Sequence, residues 1–88
     1  MSQSPYKIVE ERRARNHKNA LDKTIRDRVE TRLEKLADNP RPADAVALTA
    51  RTGVWRVRTG DYRILYEIDD DERIITIVEI AHRSRAYR

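Results

Sequence analysis

The sequence has no cysteine, which excludes a disulfide framework and any thiolate metal site. With 88 residues, the fold must close around a small core without such staples, near the lower limit of what a single chain achieves. The same absence fits a reducing compartment, and a cytoplasmic location is expected. Long apolar runs are missing as well. The start, "MSQSPYKIVEERR", has no apolar stretch of signal-peptide length, and no segment approaches the roughly 20 apolar residues of a membrane span. A soluble intracellular protein without a membrane partner is expected. No repeat, low-complexity tract or linker interrupts the chain, so residues 1–88 read as one domain.

What the sequence has in abundance is charge. The formal net charge is only +4, modest for a nucleic-acid binder, but its distribution is uneven. Between Arg51 and Arg63 stand four arginines against one acid, Asp61; "EIDDDE", Glu67 to Glu72, has five acids and no base; and "HRSRAYR" at the end adds three arginines. Segregation of this kind creates a local positive potential suited to an anionic ligand such as nucleic acid.

Residues Tyr6 to Val9, "YKIV", read as a short strand. Glu11 to Ala37 contains neither Gly nor Pro, and Leu21, Ile25, Val29, Leu33 and Leu36 recur at helical spacing. Asp22 suits an N-cap, which divides the region into helices near 11–20 and 23–38. "DNPRP" stops the second helix, because Pro40 and Pro42 cannot continue it. The first helix is thin: its inward stripe offers Ala14, Ala20 and Leu21, with His17 and Lys18 where apolar residues belong. After a connector come strands at Val54 to Arg58, Tyr62 to Ile68 and Arg73 to Ala81, joined by "RTGDYR" and "DDDE" as an antiparallel meander. The order is β-α-α-β-β-β, an α+β domain with two N-terminal helices packed on a curved antiparallel sheet.

Alternation along each strand sorts the side chains by face. Trp55 and Val57 share one face and Arg56 and Arg58 the other; Tyr62, Ile64, Tyr66 and Ile68 form the apolar set of the next strand, which leaves Arg63 on the face of Arg56 and Arg58. Glu79 and Arg83 share a parity, and Arg83 joins the arginines unless a one-residue bulge reverses the last strand. A single arginine on such a face covers apolar surface or pairs with Glu67 or Glu79. Four on one face, followed by a basic tail, point to an anion site. His82 falls on the helix side with Val78 and Ile80, His17 reads as a surface residue, and two histidines so placed make no metal site; no cofactor is implied.

Taken in order, "RDRVETRLEKLADNPRP", "RTGVWRVRTGDYRILYEIDDDE", an apolar strand and "HRSRAY" resemble the RelE/ParE superfamily of toxins from bacterial type II toxin-antitoxin systems, with the RelE branch nearest. The resemblance runs from Tyr6 to Tyr87. It implies metal-independent endoribonuclease activity against messenger RNA on the ribosome, in which the RNA 2′-hydroxyl attacks the adjacent phosphate. It also implies a cognate antitoxin partner, with DNA contacted only through the antitoxin complex. Matched position by position, the site residues of the RelE branch fall on Arg56, Arg58, Arg63, Arg83 and Tyr87; Arg51, His82 and Arg85 are further candidates for holding RNA. This chain departs from the pattern in carrying arginines where well-studied members have lysines at 56 or 58, and in reading "ALTA", Ala47 to Ala50, where many relatives have Lys-Leu-Lys-Gly. Two alternatives come with the resemblance: a non-enzymatic DNA gyrase inhibitor of the ParE type, and a catalytically weak RNA-binding member.

Overall fold

The computed structural model describes residues 5–84. The chain forms β1 (Lys7–Glu10), α1 (Arg12–Asn19), α2 (Lys23–Asp38), β2 (Val46–Ala47), β3 (Val54–Thr59), β4 (Tyr62–Asp69) and β5 (Ile74–His82). These strands make one five-stranded sheet in the order β1-β5-β4-β3-β2, and the two helices pack against it. The α+β architecture is therefore the expected one, with two changes. The sheet is mixed rather than wholly antiparallel, because β1 enters beside β5 in parallel, Ile8 opposite Ile75. The connector also contributes an edge strand, β2, which pairs Val46 with Arg56 and Ala47 with Trp55. Two residues are too few to carry a periodicity, so nothing in the sequence marked it.

The stripe on α2 becomes the core. Val29, Leu33 and Leu36 are buried against Val57, Ile64, Tyr66, Ile75, Ile77 and Ile80 of the sheet, while Trp55, Ile8, Leu21 and Tyr6 pack at the margin. Asp22 occupies the N-cap position of α2 but makes no side-chain cap bond; the first turn instead gains an exposed Lys23–Asp27 pair at 2.8 Å. The helix ends at Asn39, in extended conformation, ahead of Pro40.

α1 is completed in a way its composition conceals. Ala14 is fully buried, Ala20 is exposed, and Lys18, 8% exposed, takes the place of the missing apolar residue. Its stem fills the space and its Nζ donates to Glu10 of β1 and, at 3.0 Å, to Glu30 of α2. One ammonium thus ties together the first three elements, which is how so polar a helix is held to the body of the fold.

A second tie secures the connector. Tyr66, fully buried, donates its hydroxyl to the Pro40 carbonyl at 2.7 Å. Asp70, in the β4–β5 turn, accepts from Arg41 at 2.9 Å and from the Tyr6 hydroxyl at 2.7 Å. The Arg41 guanidinium also lies 5.4 Å from the Trp55 ring centre, and that of Arg73 lies 4.3 Å from the Tyr6 ring. Part of the acidic run is therefore structural. Among the described residues no helix is long and apolar enough to cross a membrane.

Candidate active site

The register of the meander decides which side chains share the face turned away from the helices. Arg58 stands opposite Arg63, and Arg56 opposite Leu65; on the next strand Ala81 stands opposite Arg63, and Glu79 opposite Leu65. A bulge does occur. Tyr66 pairs with Ile77 while Leu65 pairs with Glu79, so Val78 is the extra residue. It lies early enough in β5 that Glu79 and Ala81 fall on the arginine face afterwards, with Ile80 in the core opposite Ile64. Arg83 follows with the parity of Ala81, and its backbone N–H extends the ladder by one bond, to the Asp61 carbonyl at 2.7 Å.

The arginines differ in environment. Arg58 is exposed and Arg56 half-buried, flanked across the ladders by Val46 and Leu65. Arg63 departs from the expectation of an open position: it is 6% exposed. Parity assigns a side chain to a face but says nothing of how far its neighbours cover it. Here Val54 and Val78 are also buried, yet both lie outside the core cluster that contains Val57 and Ile80. The arginine face thus has apolar residues of its own, and cations set among them act through a lower local dielectric than cations in open water.

Arg83 is exposed, with Nε 3.9 Å from Asp61 Oδ1. Arg51 is exposed in the turn before β3, where Val54 N–H closes on its carbonyl at 3.1 Å and Gly53, φ 84°, takes the third turn position. Arg85 and Tyr87 lie outside the described residues. His82 is not brought to the arginines: it pairs with Tyr62, so it faces the helix side, its ring edge-on to Tyr62 at 5.3 Å. The His82 Nδ1 accepts the Ser84 backbone N–H at 3.2 Å, which assigns the proton of the neutral ring to Nε2. His17, read as a surface residue, is half-buried and lines the same cleft between α1 and the end of β5 as His82. Among the described residues no three potential metal ligands gather.

Two acidic residues share this face with the arginines. Glu79, reached by Arg13 of α1 at 3.6 Å, brings a carboxylate beside Leu65. Asp61 shares the parity of Arg63 and stands across from Arg83, a placement that alternation alone signals once the turn is fixed at Gly60-Asp61.

A sheet with helices on one face and a row of partly sheltered arginines on the other defines a small α+β domain with one arginine-bearing face. The comparison with known families then places it. The model of the ParE toxin of type II toxin-antitoxin systems, parDE, matches residues 6–87, and the chain belongs to that family. Toxin RelE of Mycobacterium tuberculosis is 38% identical over 53 residues, 60% of this chain and 55% of that protein. The putative toxin RelE1 of Methanocaldococcus jannaschii is 37% identical over 59 residues, 64% of this chain and 66% of that protein. The matched stretches thus span between about half and two thirds of these relatives. Among solved structures, the RelE-RelB complex of Pyrococcus horikoshii superposes with a TM-score of 0.80 at 26% identity, covering 93% of this chain and 99% of that one. The RelBE2 toxin-antitoxin complex of Mycobacterium tuberculosis gives 0.77 at 30% identity, covering 90% and 99%.

Proposed function

We propose that this toxin is a metal-independent endoribonuclease that cuts messenger RNA on the ribosome. The observation that carries the reading is the convergence of Arg56, Arg58 and Arg63 on one sheet face, with Arg83 on the strand end beside them. In the reaction the 2′-hydroxyl attacks the adjacent phosphorus and gives up its proton. The bond to the 5′-oxygen breaks and that oxygen takes up a proton, leaving a 2′,3′-cyclic phosphate and a 5′-hydroxyl. Negative charge grows on the phosphoryl and leaving oxygens, so fixed guanidinium groups favour the transition state over the bound substrate. An arginine stays protonated at any working pH and cannot serve as the base; proton removal falls to another group, of the protein, of the ribosome or of solvent. Arg83 is assigned to the leaving oxygen, Arg58 and Arg63 to the phosphoryl oxygens, Arg56 and Arg51 to the flanking backbone, and Tyr87 to stacking on a base.

The relatives whose solved structures are toxin-antitoxin complexes support an antitoxin partner. The cation-rich face is the natural target for an acidic segment of such a partner, which would exclude RNA from it.

Purified chain added to ribosomes programmed with a defined messenger should yield new transcript ends within the translated region, each upstream fragment ending in a cyclic phosphate. Arg58→Ala with Arg83→Ala, both exposed positions, should abolish the cuts while leaving the fold intact; undiminished cutting by that variant would sink the assigned site. The matching family model is that of ParE toxins, which favours a second reading as a non-enzymatic gyrase inhibitor. Loss of gyrase supercoiling at toxin concentrations that leave translation untouched would establish it instead.

A further inference from the structure

Among the described residues Asp61 is the one carboxylate paired with the strand-end arginine, and the cleavage chemistry above does not use it. It is the second residue of the two-residue loop between β3 and β4, whose first, Gly60, has φ 58°. This is the pattern of a type II′ turn, which joins two strands with matching twist. Because Tyr62 pairs with His82 and Arg63 with Ala81, Asp61 comes across from Arg83. The period of two then puts both side chains on the face of Arg63. The 2.7 Å bond from the Arg83 N–H to the Asp61 carbonyl locks this register.

The side-chain pair adds little to stability: the two are 69% and 66% exposed, and their contact is long at 3.9 Å. Its consequence is orientation. The carboxylate comes nearest to Nε, the inner edge of the guanidinium, at ion-pair rather than hydrogen-bond distance. Among the described residues Arg83 makes no other ion pair, so its two terminal amino groups remain for a ligand. A phosphate takes two parallel N–H bonds from such a fork. Resting on the reading that Arg83 meets the reacting phosphate, we propose that Asp61 is a positioning residue, which holds the Arg83 guanidinium by its Nε so that the terminal amino groups face the RNA phosphate.

The plainer explanation is that Asp61 only suits a turn. Asn suits the same turn equally and lacks the charge, so Asp61→Asn separates the two. The test is single-turnover cleavage on programmed ribosomes by the full chain, its Asp61→Asn and Arg83→Ala variants, the double variant and Asp61→Glu. Misplacing a catalytic group by a fraction of an ångström is costly, so Asp61→Asn should slow the maximal rate about tenfold. The half-saturating concentration and the thermal midpoint should hold, Asp61→Glu should recover part of the rate, and Asp61→Asn should cost nothing further once Arg83 is Ala. Equal fold-losses with and without Arg83, or a rate loss matched by a fallen midpoint, overturn the proposal.

A second measurement does not need cleavage. The Nε–H resonance of Arg83 should shift on adding an oligoribonucleotide made uncleavable by 2′-O-methylation, and this response should weaken in Asp61→Asn. If the wild type cuts nothing yet the resonance responds and depends on Asp61, the endoribonuclease reading fails and the positioning stands. A resonance that ignores the oligonucleotide, or responds alike in both proteins, overturns it.

Discussion

Arg58 and Arg63 face each other directly across the β3–β4 ladder, the first exposed and the second 6% exposed. Like charges at opposed positions weaken a sheet pair, by a few tenths to about 1 kcal/mol. Replacing Arg58 by Thr, a good strand former without charge, should raise stability by about 0.5 kcal/mol in urea unfolding at low salt. The same change should lower RNA cleavage by at least an order of magnitude, since the lost cation acts where phosphate charge develops. A variant that loses stability and keeps its activity would show that the pair is held for structure alone.

Lys18 invites the opposite test. It joins Glu10 and Glu30, and truncation to Ala would leave the Glu10 side chain, 17% exposed, without its cation. Breaking such a buried group should cost about 3 kcal/mol, and Lys18→Met combined with Glu10→Gln should recover most of it, because a packed neutral pair needs no compensation. The pH dependence has a definite sign. Burial pulls the Lys18 pKa down, but the hydrogen bonds from its ammonium to Glu10 and Glu30 outweigh this, and the pKa lies above its ordinary 10.5. Its contribution is therefore whole below pH 10.5 and is lost as pH rises through the still higher folded value. Urea midpoints of wild type and Lys18→Met should converge as pH climbs past that point.

The arginine pair and the Lys18 triad mark what the sequence allowed and what it withheld. Alternation placed Arg56, Arg58 and Arg63 on one face because the meander is regular on both sides of the Gly60-Asp61 turn, and helical spacing found Val29, Leu33 and Leu36. Local patterns report on local periodicity. The Lys18 triad joins residues brought together only by packing β1, α1 and α2, so its lysine reads as a defect in a stripe. Whether Arg63 is covered depends on what lies beside it across the ladders and over the face, which alternation along one strand does not carry, and the bulge at Val78 leaves no mark in an apolar run. The assignments to Arg85 and Tyr87 rest on the family resemblance, since both lie outside the described residues.

The acid limb of stability should report the tie at the connector. The hydrogen bonds from Arg41, and then from the Tyr6 hydroxyl, hold the Asp70 carboxyl below its ordinary 3.8, and the bond from Arg32 does the same for Asp44. A carboxylate whose folded pKa is depressed contributes fully above the ordinary value, and the contribution disappears as pH falls through the folded one. Unfolding midpoints should thus fall between pH 4 and pH 2, less steeply for Asp70→Asn. Because Asp70 joins the β4–β5 turn to Arg41 of the connector, protease cleavage within residues 40–45 should also be faster in that variant at neutral pH. Unchanged cleavage there would mean that Tyr66 and the Arg32–Asp44 pair secure the connector without Asp70.

Tyr66 contributes on the alkaline side. Burial is the largest cause that pushes its phenol up to about 12; Asp44 adds to the rise, and Arg32 and Arg41 oppose it. Below pH 10 the phenol is neutral in both states and its contribution is whole. Between pH 10 and 12 the unfolded chain ionises while the folded one does not, so stability falls, by roughly 3 kcal/mol across the interval for a shift of this size. Tyr66→Phe removes that slope. It should also cost about 1 kcal/mol at neutral pH, because the Pro40 carbonyl loses the hydroxyl that donates to it at 2.7 Å. Two curves that start apart and meet near pH 11 are the expected result of urea unfolding from pH 7 to 12. Absorbance titration of the phenols should show one fewer late-ionising tyrosine in the variant. If Tyr66→Phe follows the wild type in parallel across the whole range, the hydroxyl is not sealed from water in the folded protein, and the connector is held chiefly by Arg41 and Asp70.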